Sequence, residues 1–137
     1  MDLGLRDRVV LITGAGGGVG PTVARVNIAA RSGLVGVARA AHYAAAKAGI
    51  VGLTASLAKE LGPSGILVNA VAPTQILTVK DGVASIPDER AAEMAKSIPL
   101  RRLATPDDLA ALVVWLGSGA NTYVSGETIS LTGGDQR

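Results

Sequence analysis

Arg8-Val9-Val10-Leu11-Ile12-Thr13, followed at once by Gly14-Ala15-Gly16-Gly17-Gly18-Val19-Gly20 and Pro21, is the stretch that decides the fold. The first six residues are apolar and β-branched with no polar alternation, the pattern of a strand buried on both faces of a parallel sheet. The glycines permit a tight turn and a close backbone approach, and Pro21 suits the first turn of a helix. Strand, glycine loop and helix together form a phosphate-binding arrangement, in which a pyrophosphate sits at the helix N-terminus. A glycine loop alone is weak evidence, since a plain flexible turn has the same composition.

Outward from that stretch the pattern repeats. Residues 42–61 turn helical, with Ile50, Leu53, Leu57 and Leu61 recurring every three or four positions before Gly62-Pro63 stops the helix. Residues 66–72 (ILVNAVA) read as a second buried strand ended by Pro73, followed by a polar stretch over 74–85 and a helix over about 88–97. Thr105 is placed to cap a further helix, with Pro106 in its first turn and Asp107 and Asp108 suited to its dipole. Leu109, Leu112, Val113 and Leu116 form its apolar stripe, Gly117 ends it, and residues 127–132 (ETISLT) give a last strand. Strands alternating with helices predict an α/β domain with a parallel sheet. No repeat, low-complexity tract or linker divides residues 1–137, so a single domain is expected.

Composition narrows the function classes. Hydrophobic residues make up 48% of the 137 and charged residues 18%, which is the balance of a folded core and not of a disordered tail. The apolar runs are too short to span a bilayer, and the N-terminus carries no signal-peptide pattern, so a cytoplasmic protein is expected. Without cysteine there is no disulfide framework, thiolate metal site or cysteine nucleophile. His42, the only histidine, has no partner at metal-ligand spacing and reads as part of a site rim, so no metal is expected. A net charge of +2, one adjacent basic pair (Arg101-Arg102) and three aromatic residues argue against a nucleic-acid surface.

Tyr43 and Lys47 stand four residues apart at the start of a helix and so share a face. A free phenol titrates near ~10 and is a poor proton donor or acceptor at neutral pH, whereas an adjacent ammonium stabilises its phenolate. Such a pair is most often ordinary helix surface; behind a glycine loop it becomes a candidate acid/base for a carbonyl or alcohol.

Tyr43-Ala44-Ala45-Ala46-Lys47-Ala48-Gly49 resembles the active-site helix of the short-chain dehydrogenase/reductase family. The resemblance extends to Thr13-Gly14-x-x-x-Gly18-x-Gly20, to Val68-Asn69-Ala70-Val71-Ala72-Pro73, to Thr105-Pro106-Asp107-Asp108-Leu109-Ala110 and to residues 126–134. It is nearest the oxoacyl-carrier-protein reductase branch, whose motifs are widely shared. The resemblance implies a Rossmann-like, doubly wound parallel sheet and hydride transfer between NAD or NADP and a ketone or secondary alcohol. Tyr43 would be the acid/base and Lys47 its electrostatic support and ribose ligand. The implied cofactor contacts are Gly14, Gly16, Gly18, Val19, Gly20, Tyr43, Lys47, Pro73, Ile76 and Thr78, with Ile76 and Thr78 at the carboxamide and phosphates. The absence of a basic residue in the glycine loop before Gly18 leans the choice toward NAD, because a 2′-phosphate favours a nearby cation. By the same analogy residues 74–100 form a substrate lid, and Ala44, Ala48, Gly52 and Ala55 permit the close helix packing of a homo-oligomer.

The chain also departs from the family. It is shorter, and the shortfall falls between Arg25 and Val26, where the family's second to fourth strands and their helices would lie. With that segment go the residue that reads the adenine ribose and an asparagine of the proton relay. Gly18 to Arg25 resembles the opening of the first helix, and residues 26–30 resemble the strand before the tyrosine helix. Two junction geometries are open: a helix running through it, with Val19, Val23, Val26 and Ala30 on one face, or direct pairing of the first strand with the strand at 26–30 to leave roughly four strands. Either would expose apolar surface, a motive for self-association. The family's serine belongs thirteen positions before the tyrosine, which is Ala30, and Ser32 is the candidate substitute. Thr74 stands where the family has glycine and would stiffen the loop over the cofactor. Against the reductase reading stands a rival: a truncated or shortened scaffold that binds nucleotide, or only self-associates, without catalysis.

Overall fold

The structure of the protein, a computed structural model, describes residues 9–13, 23–80 and 82–135. Its main sheet has four strands: β1 (Val9–Thr13), β2 (Val23–Ile28), β3 (Leu67–Pro73) and β6 (Thr128–Leu131), hydrogen-bonded in that order and all parallel. Between β2 and β3 run a short helix α1 (Ser32–Val35) and the long helix α2 (Ala41–Leu61). Between β3 and β6 come a two-stranded ribbon, β4 (Val79–Lys80) with β5 (Val83–Ala84), then helices α3 (Asp88–Ser97) and α4 (Pro106–Gly117).

Of the two junction geometries, direct pairing is the one observed. β1 pairs with β2 in register from Val9 opposite Val23 to Thr13 opposite Asn27. The strand starts earlier than expected: residues 23–25, read as the continuation of a first helix, are the first three residues of β2, and Ala29 and Ala30 lie beyond its end. Val23 and Val26 are β-branched and fit a pleated ladder better than a helix interior. Residues 14–22, which include the whole glycine loop, lie outside the described residues.

The period-2 alternation of β2 and β3 sorts the core into two layers. Val26 of β2 and Val71 of β3 face α4, where they meet Val113 and Leu116, flanked by Leu109 and Leu112. Ala29, Ala70 and Ala72 face the other way, against Ile50 and Val51 of α2. Large aliphatic side chains fill the α4 layer, and alanines let α2 lie close to the sheet on its own side. The stripe expected on α4 is the one observed. On α2 it is displaced: Leu53 is 46% exposed, and the fully buried residue of that helix is Thr54.

Thr54 is buried because it answers a polar group in the sheet. The Asn27 side chain, fully buried in β2, donates from Nδ2 to Thr54 Oγ1 at 2.8 Å, and the Thr54 hydroxyl donates onward to the Ile50 carbonyl at 2.8 Å. This pair fixes the rotation of α2 about its axis, and Lys47, seven residues earlier and so two turns away, is aimed along the same side. Thr54→Val keeps the shape and removes the acceptor, so it should destabilise the fold by about 1–3 kcal/mol, read as a lower urea midpoint with an unchanged slope. An unchanged midpoint would contradict this account of the helix's orientation.

The start of α4 follows the sequence closely. Thr105 Oγ1 accepts from the Asp108 N–H at 3.3 Å, and the Asp108 carboxylate accepts from the Thr105 N–H at 2.8 Å, closing a capping box. Arg102 adds a two-pronged contact to the same carboxylate at 2.5 and 2.8 Å. The Arg102 hydrogen bond first, then those from Thr105, hold the Asp108 carboxyl well below its ordinary range. A carboxylate with a depressed folded-state pKa contributes stability above the ordinary carboxylate range, and that contribution is lost as pH falls toward the folded value. The stability difference between the native chain and Asp108→Asn should therefore be present at pH 7 and shrink as the pH is taken below about 4, followed by thermal melts across that range. Because the pair is exposed, the effect is small.

Candidate active site

The parallel strands end on one side of the sheet, and there the backbone ladder continues past the strands. Ala29 N–H donates to the Val71 carbonyl at 2.9 Å and Arg31 N–H to the Pro73 carbonyl at 3.0 Å. This holds residues 30–32 beside residues 73–75. Gly33 then lets α1 press onto α2: a Cβ there would lie 2.6 Å from the Lys47 carbonyl carbon and 2.8 Å from the Ala48 nitrogen. The first turns of α2 are thereby brought to the same mouth as the ends of β2 and β3.

The result is a groove of about 370 Å³ whose walls include Ala30, Ser32, Tyr43, Pro73, Thr74 and Gln75. Tyr43 is 46% exposed, its ring open to the groove. The Lys47 ammonium lies 5.8 Å from the centre of that ring and donates to the Ile28 carbonyl at 3.0 Å, so it is anchored to the last residue of β2. Ser32 has a buried hydroxyl with no hydrogen-bond partner among the described residues. Ala30, 9% exposed, contributes only a methyl group to the wall.

Seven of the site residues read from the sequence are placed away from this groove or lie outside the described residues. Gly14, Gly16, Gly18, Val19 and Gly20 are among residues 14–22 and lie outside the described residues. Ile76 and Thr78 do not line the groove: Ile76 bridges in parallel to Ala104, and the Thr78 N–H donates to Ser85 Oγ at 3.1 Å. Tyr43, Ser32 and Pro73 do line it, with Lys47 one turn behind Tyr43. Thr74, in the family's glycine position, is accommodated in ordinary backbone geometry, with its N–H donated to the Leu131 carbonyl at 3.1 Å.

Two features escaped the sequence reading. Gln75, beside Thr74, is a groove residue with a side-chain amide free to face a ligand. The region expected to be a plain polar stretch contains the β4–β5 ribbon, turned at Gly82 with φ +78°. The Asp81-Gly82 dipeptide between Val79 and Val83 is the signal that could have found it. Residues 74–104 also hold a small core of their own, Ile86, Ile98 and Leu103 packed with Leu77, Ala91 and Met94.

Known proteins resemble this chain in sequence and in fold. Residues 18–135 match the family described as enoyl-(acyl carrier protein) reductase. The chain belongs to the short-chain dehydrogenase/reductase family of oxidoreductases. The 3-oxoacyl-[acyl-carrier-protein] reductase FabG of Aquifex aeolicus is 41% identical over 109 residues, which cover 80% of this chain and 43% of the relative. Acetoacetyl-CoA reductase of an Acinetobacter species is 43% identical over the same length and shares. Among solved structures, a 3-oxoacyl-[acyl-carrier protein] reductase from Brucella melitensis with bound NAD superposes with a TM-score of 0.67 at 36% identity, covering 82% of this chain and 40% of that one. The chain thus spans less than half the length of these relatives. Among the described residues, no helix is long and apolar enough to cross a membrane.

Proposed function

We propose that this chain forms the reducing end of a carbonyl reductase, moving a hydride between NAD or NADP and a ketone or secondary alcohol. The observation that carries the reading is that Tyr43 and Ser32 line one groove on the C-terminal side of a parallel sheet, where α/β folds bind their ligands, with the Lys47 ammonium 5.8 Å from the centre of the Tyr43 ring.

The groove fits the nicotinamide end of such a cofactor. Its volume is about 370 Å³, and Lys47 Nζ, tied to the Ile28 carbonyl, has further protons to offer ribose hydroxyls. When bound, the nicotinamide supplies or accepts the hydride. Tyr43 holds the proton that the substrate oxygen takes up or gives back, with its phenol facing the groove. Lys47 holds its positive charge 5.8 Å from the centre of the Tyr43 ring, beside the reacting oxygen's place in the groove. Ser32 stands in for the missing serine: rotation about its one side-chain bond would turn a hydroxyl that lacks a partner toward the substrate oxygen. Gly14, Gly16, Gly18, Val19 and Gly20 would cradle the pyrophosphate, and the lack of a basic residue within the glycine loop before Gly18 favours NAD. Pro73, Ile76 and Thr78 would complete the cofactor contacts. The likeness to an NAD-bound reductase supports this assignment.

The outer face of α2 exposes Ala48, Gly52 and Leu53, a flat apolar strip that supports close packing of two copies, and a cytoplasmic homo-oligomer is proposed. A second reading has a specific observation behind it: the methyl group of Ala30 at the family's serine position favours a non-catalytic nucleotide-binding or self-associating scaffold. Calorimetric titration of the purified chain with NADH and with NADPH, followed also by energy transfer from Trp115, tests the proposal. Saturable micromolar binding supports a working nucleotide site and names the cofactor. A folded chain that binds neither sinks the reductase reading.

A further inference from the structure

We propose that Arg90 reads an anionic group on the carbonyl substrate, which makes the substrate class a short oxo acid or oxo phosphate in place of a neutral ketone. The inference rests on the reductase reading above and adds to it the identity of the compound's second functional group.

Beside the Tyr43 groove lies a second cavity of about 250 Å³, with Ile86, Pro87, Arg90 and Met94 among its walls. Gln75 lines both, so the two cavities share a wall at one side chain. Arg90 and Met94 are one turn apart on α3 and so project to the same side, over Ile86 and Pro87. Arg90 is solvent-exposed and stands at a cavity of mixed lining, where Ser85 and Gln75 add polar groups beside Ile86, Pro87 and Met94. Its helical neighbour Glu93 is taken by Lys96 at 2.6 Å, and the other ion pair among the described residues joins Arg102 to Asp108. Asp88 and Glu89, in the first turn of α3, are not cavity walls. Arg90 thus faces the cavity without an acidic partner among the described residues, and the Gln75 amide adds a neutral donor between it and Tyr43. A planar guanidinium forks onto a carboxylate or phosphate with two parallel hydrogen bonds. A carbonyl carbon placed at Tyr43 leaves the rest of a small molecule to pass Gln75, and the group that finds a complement beyond it is an anion.

The test uses the whole chain labelled with ¹⁵N and three probes: 4-oxopentanoate, its methyl ester, and hydroxyacetone phosphate. The Arg90 Nε–H and Gln75 side-chain amide resonances report binding at the two cavities. Saturable shifts of the Arg90 resonance by the acid or the phosphate, but not by the ester, are expected. The more effective of the two anions tells carboxylate from phosphate. Arg90→Gln should weaken anion binding about tenfold or more, as loss of a hydrogen bond to a charged group does. In turnover it should raise KM for the anion while leaving kcat and the ester's kinetics unchanged. Equal binding of acid and ester, an affinity for both anions that Arg90→Gln leaves unchanged, or no binding of either anion would overturn the proposal. Anion binding at Arg90 without NADH or NADPH binding would leave this site standing and remove the reductase reading. Reduction of the ester alone, insensitive to Arg90→Gln, would do the reverse.

Discussion

Tyr43→Phe is expected to lower carbonyl reduction between about a hundredfold and ten-thousandfold, the contribution of a positioned acid or base, while the melting temperature and NADH affinity stay near those of the native chain. The phenol is half exposed and makes its contact with Lys47 through the ring face, so removing its oxygen takes away neither packing nor a buried hydrogen bond. What it does take away is the one acid/base hydroxyl of α2 facing the groove. Parallel loss of cofactor affinity and fold would show instead that Tyr43 is structural. Undiminished turnover would move the proton to another group, with Ser32 the next candidate.

The second large effect is structural and falls at Gly33. A Cβ at this position would stand 2.6, 2.8 and 2.9 Å from atoms of Lys47 and Ala48, two of them backbone, and helix backbone does not swing aside as the end of a long side chain can. Gly33→Ala should destabilise the chain by about 1–3 kcal/mol, the range for overpacking. It should also disturb the site, because α1 carries Ser32 and the contact is made at Lys47 itself. Gly49 provides the contrast: it lies within α2 with open space around its missing Cβ. Gly49→Ala should stabilise by up to about 1 kcal/mol through helix propensity. Chemical denaturation of the two variants separates the explanations. If both glycines respond alike, the close approach of α1 to α2 is not what Gly33 is for.

Much of this was legible in the chain because local signals and tertiary packing agree. Thr105-Pro106-Asp107-Asp108 is a helix start by propensity, by charge and by capping, and all three are realised. ILVNAVA is a buried strand because both its faces are covered, by α2 and by α4. The junction was not legible. Residues 23–25 follow a glycine loop and read locally as the continuation of a helix, yet they pair with β1 as the first three residues of β2, a long-range contact that local sequence does not encode. Leu53 and Thr54 show the other limit. Periodicity marked Leu53 as core, but a helix apolar on several sides takes its rotation from a partner, and a buried Asn27 chose Thr54. For the site, the shared helix face of Tyr43 and Lys47 was readable from spacing, and their candidacy came from the glycine loop upstream and the family resemblance. The value of Ser32 depended on the backbone bond from Arg31 to Pro73, and that of Gln75 on two cavities meeting, neither of which sequence spacing encodes.

The central claim is that fewer than half of the family's usual residues still hold a carbonyl and a nicotinamide face to face at Tyr43. The direct measurement is a single-turnover incubation of the purified chain with deuterium-labelled NADH (and, separately, NADPH) and 4-oxopentanoate, with the alcohol product analysed by mass spectrometry. The account predicts one deuterium per product molecule at the carbinol carbon, formed by the native chain and not by Tyr43→Phe. A folded native chain that yields no labelled alcohol above the protein-free control would contradict it.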